Sequence, residues 1–233
     1  MPDFSQRSYQ PELMDDLTLS DAALAKNLRE LEYINAYLGG NTLTVKGLQY
    51  FVSRSNAPLS VADIGCGGGD TLRYVARWAQ QKCVLLQLAG YDANPFMVNY
   101  ASTHPQHVPH ISYHCMNLWS EEFNSVQTDV FLLSLFCHHF TDEELTTILT
   151  KLLRQARKGI IINDLHRHPI AYYSIKWLTR GLRGSYLVQH DAPLSVLRAF
   201  RKSELERLLH PIAPNRFRIS WHWAFRYLVL IEK

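Results

Sequence analysis

Hydrophobic positions along the chain recur with two different periods. In "LSDAALAKNLRELEYINAYLGG" the apolar residues Leu28, Leu31, Ile34 and Leu38 fall on one helical face, and Gly39-Gly40 supplies a stop, so this stretch predicts a helix. "NTLTVKGLQYFV" predicts a second, shorter one, and "SRSNAPLS", with Pro58, reads as a polar connector. From Val61 onward, short apolar runs alternate with helical patterns. Strands are expected at "SVADIG", "CVLLQLAGYD", "ISYHCMN", "DVFLLSL" and "GIIIND", with helices at "TLRYVARWAQQ" and near "PFMVNYAST". A further helix opens at Thr141, where Glu144 three residues on fits a capping box. Repeated strand–helix units predict a parallel sheet covered on both faces. In "RFRISWHWAFRYLVLIEK", Phe217, Ile219, Trp221 and Trp223 alternate with polar residues ahead of a denser run, which predicts a final hairpin at the sheet edge.

The densest chemistry sits where the first strand ends. "SVADIGCGGGD", Ser60 to Asp70, packs four glycines into five positions just before a helix that begins at Asp70 or Thr71. In an open parallel sheet that crevice binds ligands. A dinucleotide loop of the form GxGxxG, counted from Gly65, puts Asp70 at the third glycine, where a carboxylate would oppose a pyrophosphate at the helix N-terminus. An adenosyl ligand without phosphate, carrying an ammonium and a carboxylate, fits better. Gly65, Gly67 and Gly69 let the main chain approach its amino-acid tail, and Asp63 can accept from its ammonium. Asp92 closes the second strand 27 positions after Gly65, where a carboxylate can accept from both ribose hydroxyls.

"VADIGCGGGD" together with "GYDANPFMV" resembles the class I S-adenosylmethionine-dependent methyltransferases, over Ser60 to about Asp164. The resemblance implies an α/β, Rossmann-like three-layer sandwich whose mostly parallel seven-stranded sheet has an antiparallel last strand. Residues 1–55 would be an N-terminal helical cap, and 56–233 the S-adenosylmethionine-binding domain with an inserted lid helix at about 169–188. It also implies cofactor contacts at Asp63, Gly65, Gly67, Gly69, Asp92 and Ala93. Asn117, beside Leu118, stands where family members carry an adenine-binding aspartate; an amide oxygen accepts the same bond without charge assistance. "DVFLLSLFCHHFTDEEL" is similar to the fourth-strand motif of quinone-pathway and small-molecule O-methyltransferases, and "YINAYLGGN" and "NDLHRH" to members beside polyketide pathways. The implied reaction is methyl transfer to a small aromatic or polyketide- or quinone-like acceptor, most readily at oxygen. Plant-type O-methyltransferases carry, at the place of His138, a histidine that deprotonates the acceptor; there an acidic residue follows it, here His139 does. His166 and Asp164 are the reserve candidates.

Other features narrow the alternatives. A net charge of +3 gives no strongly basic face for nucleic acid. The cysteines at 66, 83, 115 and 137 form no CxxC pair and read as reduced structural thiols. Neither a basic start followed by an apolar run nor a membrane-length apolar stretch occurs, so a cytoplasmic protein is expected. His104, His107, His110 and His114 are interrupted by prolines and read as a solvated loop, and no metal is expected. In "PIAYYSIKWLTRGLRGSYLV", an ordinary amphipathic helix competes with a lid. The lid reading expects Tyr172, Tyr173, Trp177 and Tyr186 to line a greasy acceptor pocket, and Lys176, Arg180 and Arg183 to touch an anionic membrane without stable attachment. A nicotinamide-dependent oxidoreductase, disfavoured by Asp70, and a non-catalytic adenosyl-binding module are the competing functions. Oligomeric state is not legible.

Overall fold

The computed structural model describes residues 2–19 and 22–233; the start of the first predicted helix, at Ser20 and Asp21, lies outside them. Two helices, α1 (Ala22–Tyr37) and α2 (Gly40–Val52), precede the sheet. Then follow β1 (Leu59–Ile64), α3 (Asp70–Gln81), β2 (Leu86–Asp92), α4 (Pro95–Thr103), β3 (Ile111–Cys115), β4 (Thr128–Ser134), α5 (Asp142–Gln155) and β5 (Ala156–Leu165). Three helices, α6 (Pro169–Gly181), α7 (Tyr186–Arg198) and α8 (Lys202–Leu209), lead to β6 (Phe217–His222) and β7 (Arg226–Glu232).

The seven strands run in the order β3-β2-β1-β4-β5-β7-β6, and β7 is antiparallel to both its neighbours. This is the Rossmann-like α/β sandwich expected, with its strand order reversing between β1 and β4, where a crevice must open. The final hairpin lies at the sheet edge as expected, with β7 inserted between β5 and β6 and β6 outermost. Its composition explains this, since Tyr227, Leu228, Val229 and Ile231 of β7 are buried whereas β6 alternates. β2 begins at Leu86 rather than Cys83, because Cys83 sits in a turn at a φ of 54°. The single predicted helix at 169–188 is two helices, α6 and α7, broken at Leu182–Ser185 and recapped by the Ser185 side chain.

Both faces of the sheet are apolar, as buried parallel strands require. Along β4, Val130 and Leu132 face α2 and α3, while Phe131 and Leu133 face α5 and α8. Gly47 lets α2 lie close on the sheet, for a Cβ there would stand 2.8 Å from Ile161 Cγ2. The Thr141–Glu144 capping box opens α5: Glu144 N–H donates to Thr141 Oγ1 at 3.2 Å and Thr141 N–H to Glu144 Oε2 at 2.9 Å. All four cysteines are free, Cys66 and Cys137 buried, Cys83 and Cys115 exposed. No helix among the described residues is long and apolar enough to cross a membrane.

The N-terminal segment and the end of β5 are joined by Arg167, whose guanidinium is fully buried. It donates to both Glu204 oxygens at 2.6 and 2.9 Å, to the Ala199 carbonyl at 2.5 Å and to the Phe4 carbonyl at 3.1 Å. Arg167→Ala strands these acceptors and is expected to destabilise the protein by about 3–5 kcal/mol. Urea denaturation checks this as a lowered midpoint at unchanged slope.

Candidate active site

Three cavities open at the carboxyl ends of β1, β2, β4 and β5. The largest, about 410 Å³, is lined by Gly65, Gly67, Asp92, Ala93, Asn117 and Leu118 of the predicted cofactor set. A narrow one of about 90 Å³ continues along the glycine loop past Asp63 and Asp70. A third, about 340 Å³ and mostly apolar, lies beside them. Met14 and Leu135 line all three, so they mark the joint.

Gly65, Gly67 and Gly69 all lie in the left-handed region, at φ of 65°, 50° and 76°. At Gly65 a Cβ would collide with the Phe136 ring, and at Gly69 it would stand 2.5 Å from Tyr113 Oη, so the loop is bare because its own walls leave no room. Gly69 caps α3 rather than lining a cavity. Asp92 accepts from the Gly67 N–H at one oxygen and the Asn94 N–H at the other, both at 2.9 Å, which fixes the carboxylate against the loop. Asp63 is buried, and its Oδ1 has no partner. Burial, and then the charges of Asp70 and Asp92, push the Asp63 carboxyl well above its ordinary value. Burial also raises Asp92. Asn117 Oδ1 accepts from the Trp119 N–H at 2.9 Å, so the amide already stabilises the turn that carries it.

Leu135 follows β4 at a φ of 53°, rare for a bulky residue, with its N–H bonded to the Asn163 carbonyl at 2.9 Å. This bend throws the next residues into a 3₁₀ turn, Cys137–His139. His138 is buried, its Nδ1 2.7 Å from Asp164 Oδ1, and its own N–H donates to Asp164 Oδ2 at 3.2 Å. Burial alone would raise the Asp164 carboxyl, but the charge and hydrogen bond of His138 outweigh it and hold the group below its ordinary value. Asp164 is therefore the orienting partner of His138 rather than a reserve for it.

The other side of His138 shows what sequence reading missed. Its Nε2 stands 3.6 Å from Oε1 of Glu12, a buried carboxylate from the polar lead of the chain. Burial pushes the Glu12 carboxyl up to about 7, against the lowering effects of His139 and Ser195. His139 Nδ1 lies 2.6 Å from Asp15 Oδ1. No local motif in "YQPELMDDL" points to this role; the signal is only that two acids and two histidines, more than 120 positions apart, must find partners when buried.

The 340 Å³ cavity spans these groups and an aliphatic wall, with Leu31 and Ile34 from α1, Leu38 just after it, and Ile175 and Leu178 from α6. The α1 stripe thus faces a cavity in its second half, while Leu28 packs with Leu24 and Met97. The aromatic residues expected there are elsewhere: Tyr172 packs edge-on against Phe4, Tyr173 and Tyr186 are exposed, and Trp177 is 68% exposed. The helix presents Ala171, Ser174, Ile175 and Leu178 to the cavity, with Tyr173 and Trp177 turned outward and Tyr172 buried against Phe4. His166 lines none of the three cavities; its Nδ1 accepts from Trp221 Nε1 at 3.2 Å, because β5 turns it toward the β6–β7 hairpin. His104 lies near Glu32, His107 beside Tyr113 and His114 on Tyr91, so these histidines face separate partners.

Residues 61–159 match the methyltransferase domain family. No curated protein sequence matches the chain. Among solved structures, the plantazolicin methyltransferase BpumL in complex with SAH is 19% identical, covering 90% of this chain and 88% of its own, with a TM-score of 0.64. The magnesium protoporphyrin IX methyltransferase ChlM from Synechocystis PCC 6803, with bound SAM, is 16% identical over 84% and 80%, with a TM-score of 0.53. Human N-acetylserotonin methyltransferase in complex with SAM is 15% identical over 91% and 55%, with a TM-score of 0.61. The fold is that of these methyltransferases, each of which was crystallised with SAM or SAH, and residues 61–159 are similar to the methyltransferase domain.

Burial, followed by the nearby charge of His168, lowers the His166 pKa to about 4. An unfolded histidine titrates near 6.5, so between about 6.5 and 4 the unfolded chain binds the extra proton, and stability falls as pH drops through that window. An NMR titration of the His166 ring is expected to give a midpoint near 4; one above 6 would refute the environment described.

Proposed function

We propose that the protein transfers the methyl group of S-adenosylmethionine to a hydroxyl of a small aromatic or polyketide- or quinone-like acceptor held in the 340 Å³ cavity. The observation that carries this reading is the joint at Met14 and Leu135, where the apolar cavity, with His138 in its wall, meets the two cavities of the glycine loop. The named acceptors of the structural neighbours differ from one another, so the acceptor class is argued from this cavity's own walls. An aliphatic lining with a polar pole at Glu12, His138 and His139 suits a flat, greasy molecule with one ionisable hydroxyl.

The residues present fit the cofactor, since an unpartnered buried Asp63 oxygen and a glycine loop held in the left-handed region at Gly65, Gly67 and Gly69 lie at the same strand end. Asp63 accepts from the ammonium, Asp92 from the ribose hydroxyls, Gly65 and Gly67 admit the tail while Gly69 caps the helix behind them, and Ala93, Asn117 and Leu118 flank the adenine. When bound, S-adenosylmethionine supplies an electrophilic methyl on a good leaving group. The chain's task is to align the acceptor oxygen and exclude water. His138 takes the hydroxyl proton at Nε2, and Asp164, held at Nδ1, fixes the tautomer and stabilises the imidazolium that forms. Residues 1–55 act as a cap and α6 as a lid, in a cytoplasmic enzyme with at most transient membrane contact. Asp70 at the N-terminus of α3 disfavours a nicotinamide dinucleotide, and a roomy second cavity disfavours a purely cofactor-binding module.

Asp92→Ala is expected to weaken S-adenosylhomocysteine binding by about 2–4 kcal/mol, the loss of two charge-assisted hydrogen bonds that are not fully additive. Titration calorimetry checks it, and unchanged affinity in a folded variant removes the ribose role. His138→Ala is expected to lower turnover on a panel of phenols and quinols by about 10²–10⁴ with cofactor affinity unchanged. A loss below tenfold would leave alignment alone as the source of catalysis.

A further inference from the structure

We infer that Glu12, His138 and His139 form a binding site for one divalent transition-metal cation in the wall of the acceptor cavity. One ligand atom from each of the three lies within 4.8 Å of the other two, the separation expected around a single ion, and they are the only such group of histidines, cysteines and acids among the described residues. All three residues line the same cavity, so an ion between them would keep open positions toward whatever occupies it.

The surroundings match the way metal-binding imidazoles are held. His138 has its Nδ1 on Asp164 at 2.7 Å, and His139 has its Nδ1 on Asp15 at 2.6 Å. A carboxylate on Nδ1 fixes the tautomer that leaves Nε2 with a lone pair, orients the ring and raises its basicity as a ligand. For His138 that nitrogen stands 3.6 Å from Glu12 Oε1, too long for a hydrogen bond and suited to two atoms sharing an ion. The two rings lie 4.3 Å apart and 32° from parallel, so both imidazoles stand on the same side of the turn.

Charge points the same way. Glu12, Asp15 and Asp164 surround the imidazoles. Arg198 is the near cation, 3.8 Å from Glu12 and 2.8 Å from Asp15, while Arg7 is taken by Asp142 at 2.6 Å. A divalent ion offsets the remaining negative charge and leaves room for an anionic acceptor oxygen. Two imidazoles and one carboxylate suit Zn²⁺, Mn²⁺, Fe²⁺ or Co²⁺, not the all-oxygen preference of Mg²⁺ or Ca²⁺.

The site stands independently of the acceptor; its use in catalysis rests on the methyl-transfer reading. With the site empty, His138 takes the acceptor proton itself. With it filled, Nε2 would be a ligand, and the ion would supply Lewis acidity that favours the ionised form of an acceptor hydroxyl before it enters the closed site.

The test uses tag-free, chelator-treated full-length protein. Calorimetric titration with Zn²⁺ and Mn²⁺, and Co²⁺ titration followed by visible absorption, are expected to show one ion per chain, with Mg²⁺ far weaker. Glu12→Gln and His139→Ala are expected to abolish or weaken binding more than tenfold. Asp15→Asn, which removes only a supporting acid, should weaken it about 10–100-fold, and His110→Ala should leave it unchanged. Circular dichroism and S-adenosylhomocysteine binding establish that each variant is folded. No ion bound, retained affinity in both ligand variants, or Mg²⁺ binding as well as Zn²⁺ overturns the site. Metal binding without S-adenosylhomocysteine binding by the parent protein would instead overturn the methyltransferase reading and leave the site standing.

Discussion

The acceptor side of this molecule depends on one buried guanidinium. Arg198, near the end of α7, donates to Asp15 Oδ2 and the Gln10 carbonyl at 2.8 Å, to the His139 carbonyl at 2.7 Å and to the His138 carbonyl at 3.2 Å. It thereby joins the N-terminal segment, the turn after β4 and the helices inserted after β5, three pieces that no strand pairing connects. Arg7 repeats the device from the opposite direction, reaching the Phe140 and Arg198 carbonyls at 2.9 Å. A planar donor with five N–H groups suits this work, since it can satisfy several carbonyls at once where the backbone is too irregular to satisfy itself. Arg198 acts together with Asp191, which accepts from the Leu13 and Met14 N–H groups at 2.9 and 3.0 Å, and with Ser195, which donates to Glu12 at 2.9 Å, to hold Glu12 and Asp15 beside the two histidines.

This division explains what the sequence disclosed. The sheet and its glycine loop were legible because their determinants are local: apolar runs of strand length, a capping box at Thr141, and bare residues at a strand end. Asp63, Gly65, Gly67 and Asp92 could be read from spacing along 30 residues because two adjacent strands of a parallel sheet end at the same edge. The insertion was less legible. "PIAYYSIKWLTRGLRGSYLV" carries apolar residues on more than one face, and a sequence cannot say which face turns inward; the smaller side chains, Ala171, Ser174 and Ile175, face the cavity because the rings would fill it. Glu12 was illegible for a different reason. Its burial follows from contacts with Ser195 and Arg198, some 183 positions away, and nothing within its own segment distinguishes it from a solvated acid.

The predicted reserve role of His166 fails for a reason of strand geometry. Successive residues of β5 alternate in direction, so Asp164 and His166 should share a side, yet His166 lies just past the strand end, where its N–H bonds to the Phe225 carbonyl at 2.8 Å and the chain has begun to turn. Its ring then packs tilted or edge-on among His168, Phe225 and Tyr227, where a proton is unwelcome. Proximity in sequence to a functional aspartate carries little information once an element has ended.

The electrostatics of the cofactor side decide between the two nucleotide classes that a glycine-rich loop can serve. Asp63, Asp70 and Asp92 are all raised above their ordinary values, each first by burial. Asp70 is raised further by Glu32, although Arg73 and the amides of Asn35 and Asn41 temper the effect. A pyrophosphate brought to this loop would add two negative charges to a site that already holds carboxylates at the N-terminus of α3, and the helix dipole, at about half an elementary charge, could not compensate. A ligand bearing a sulfonium and an ammonium brings positive charge to the same place, which favours the ionised forms of these acids. The preference is therefore built into the loop by Asp63 and Asp70 together, with the glycines setting only how closely a ligand can approach.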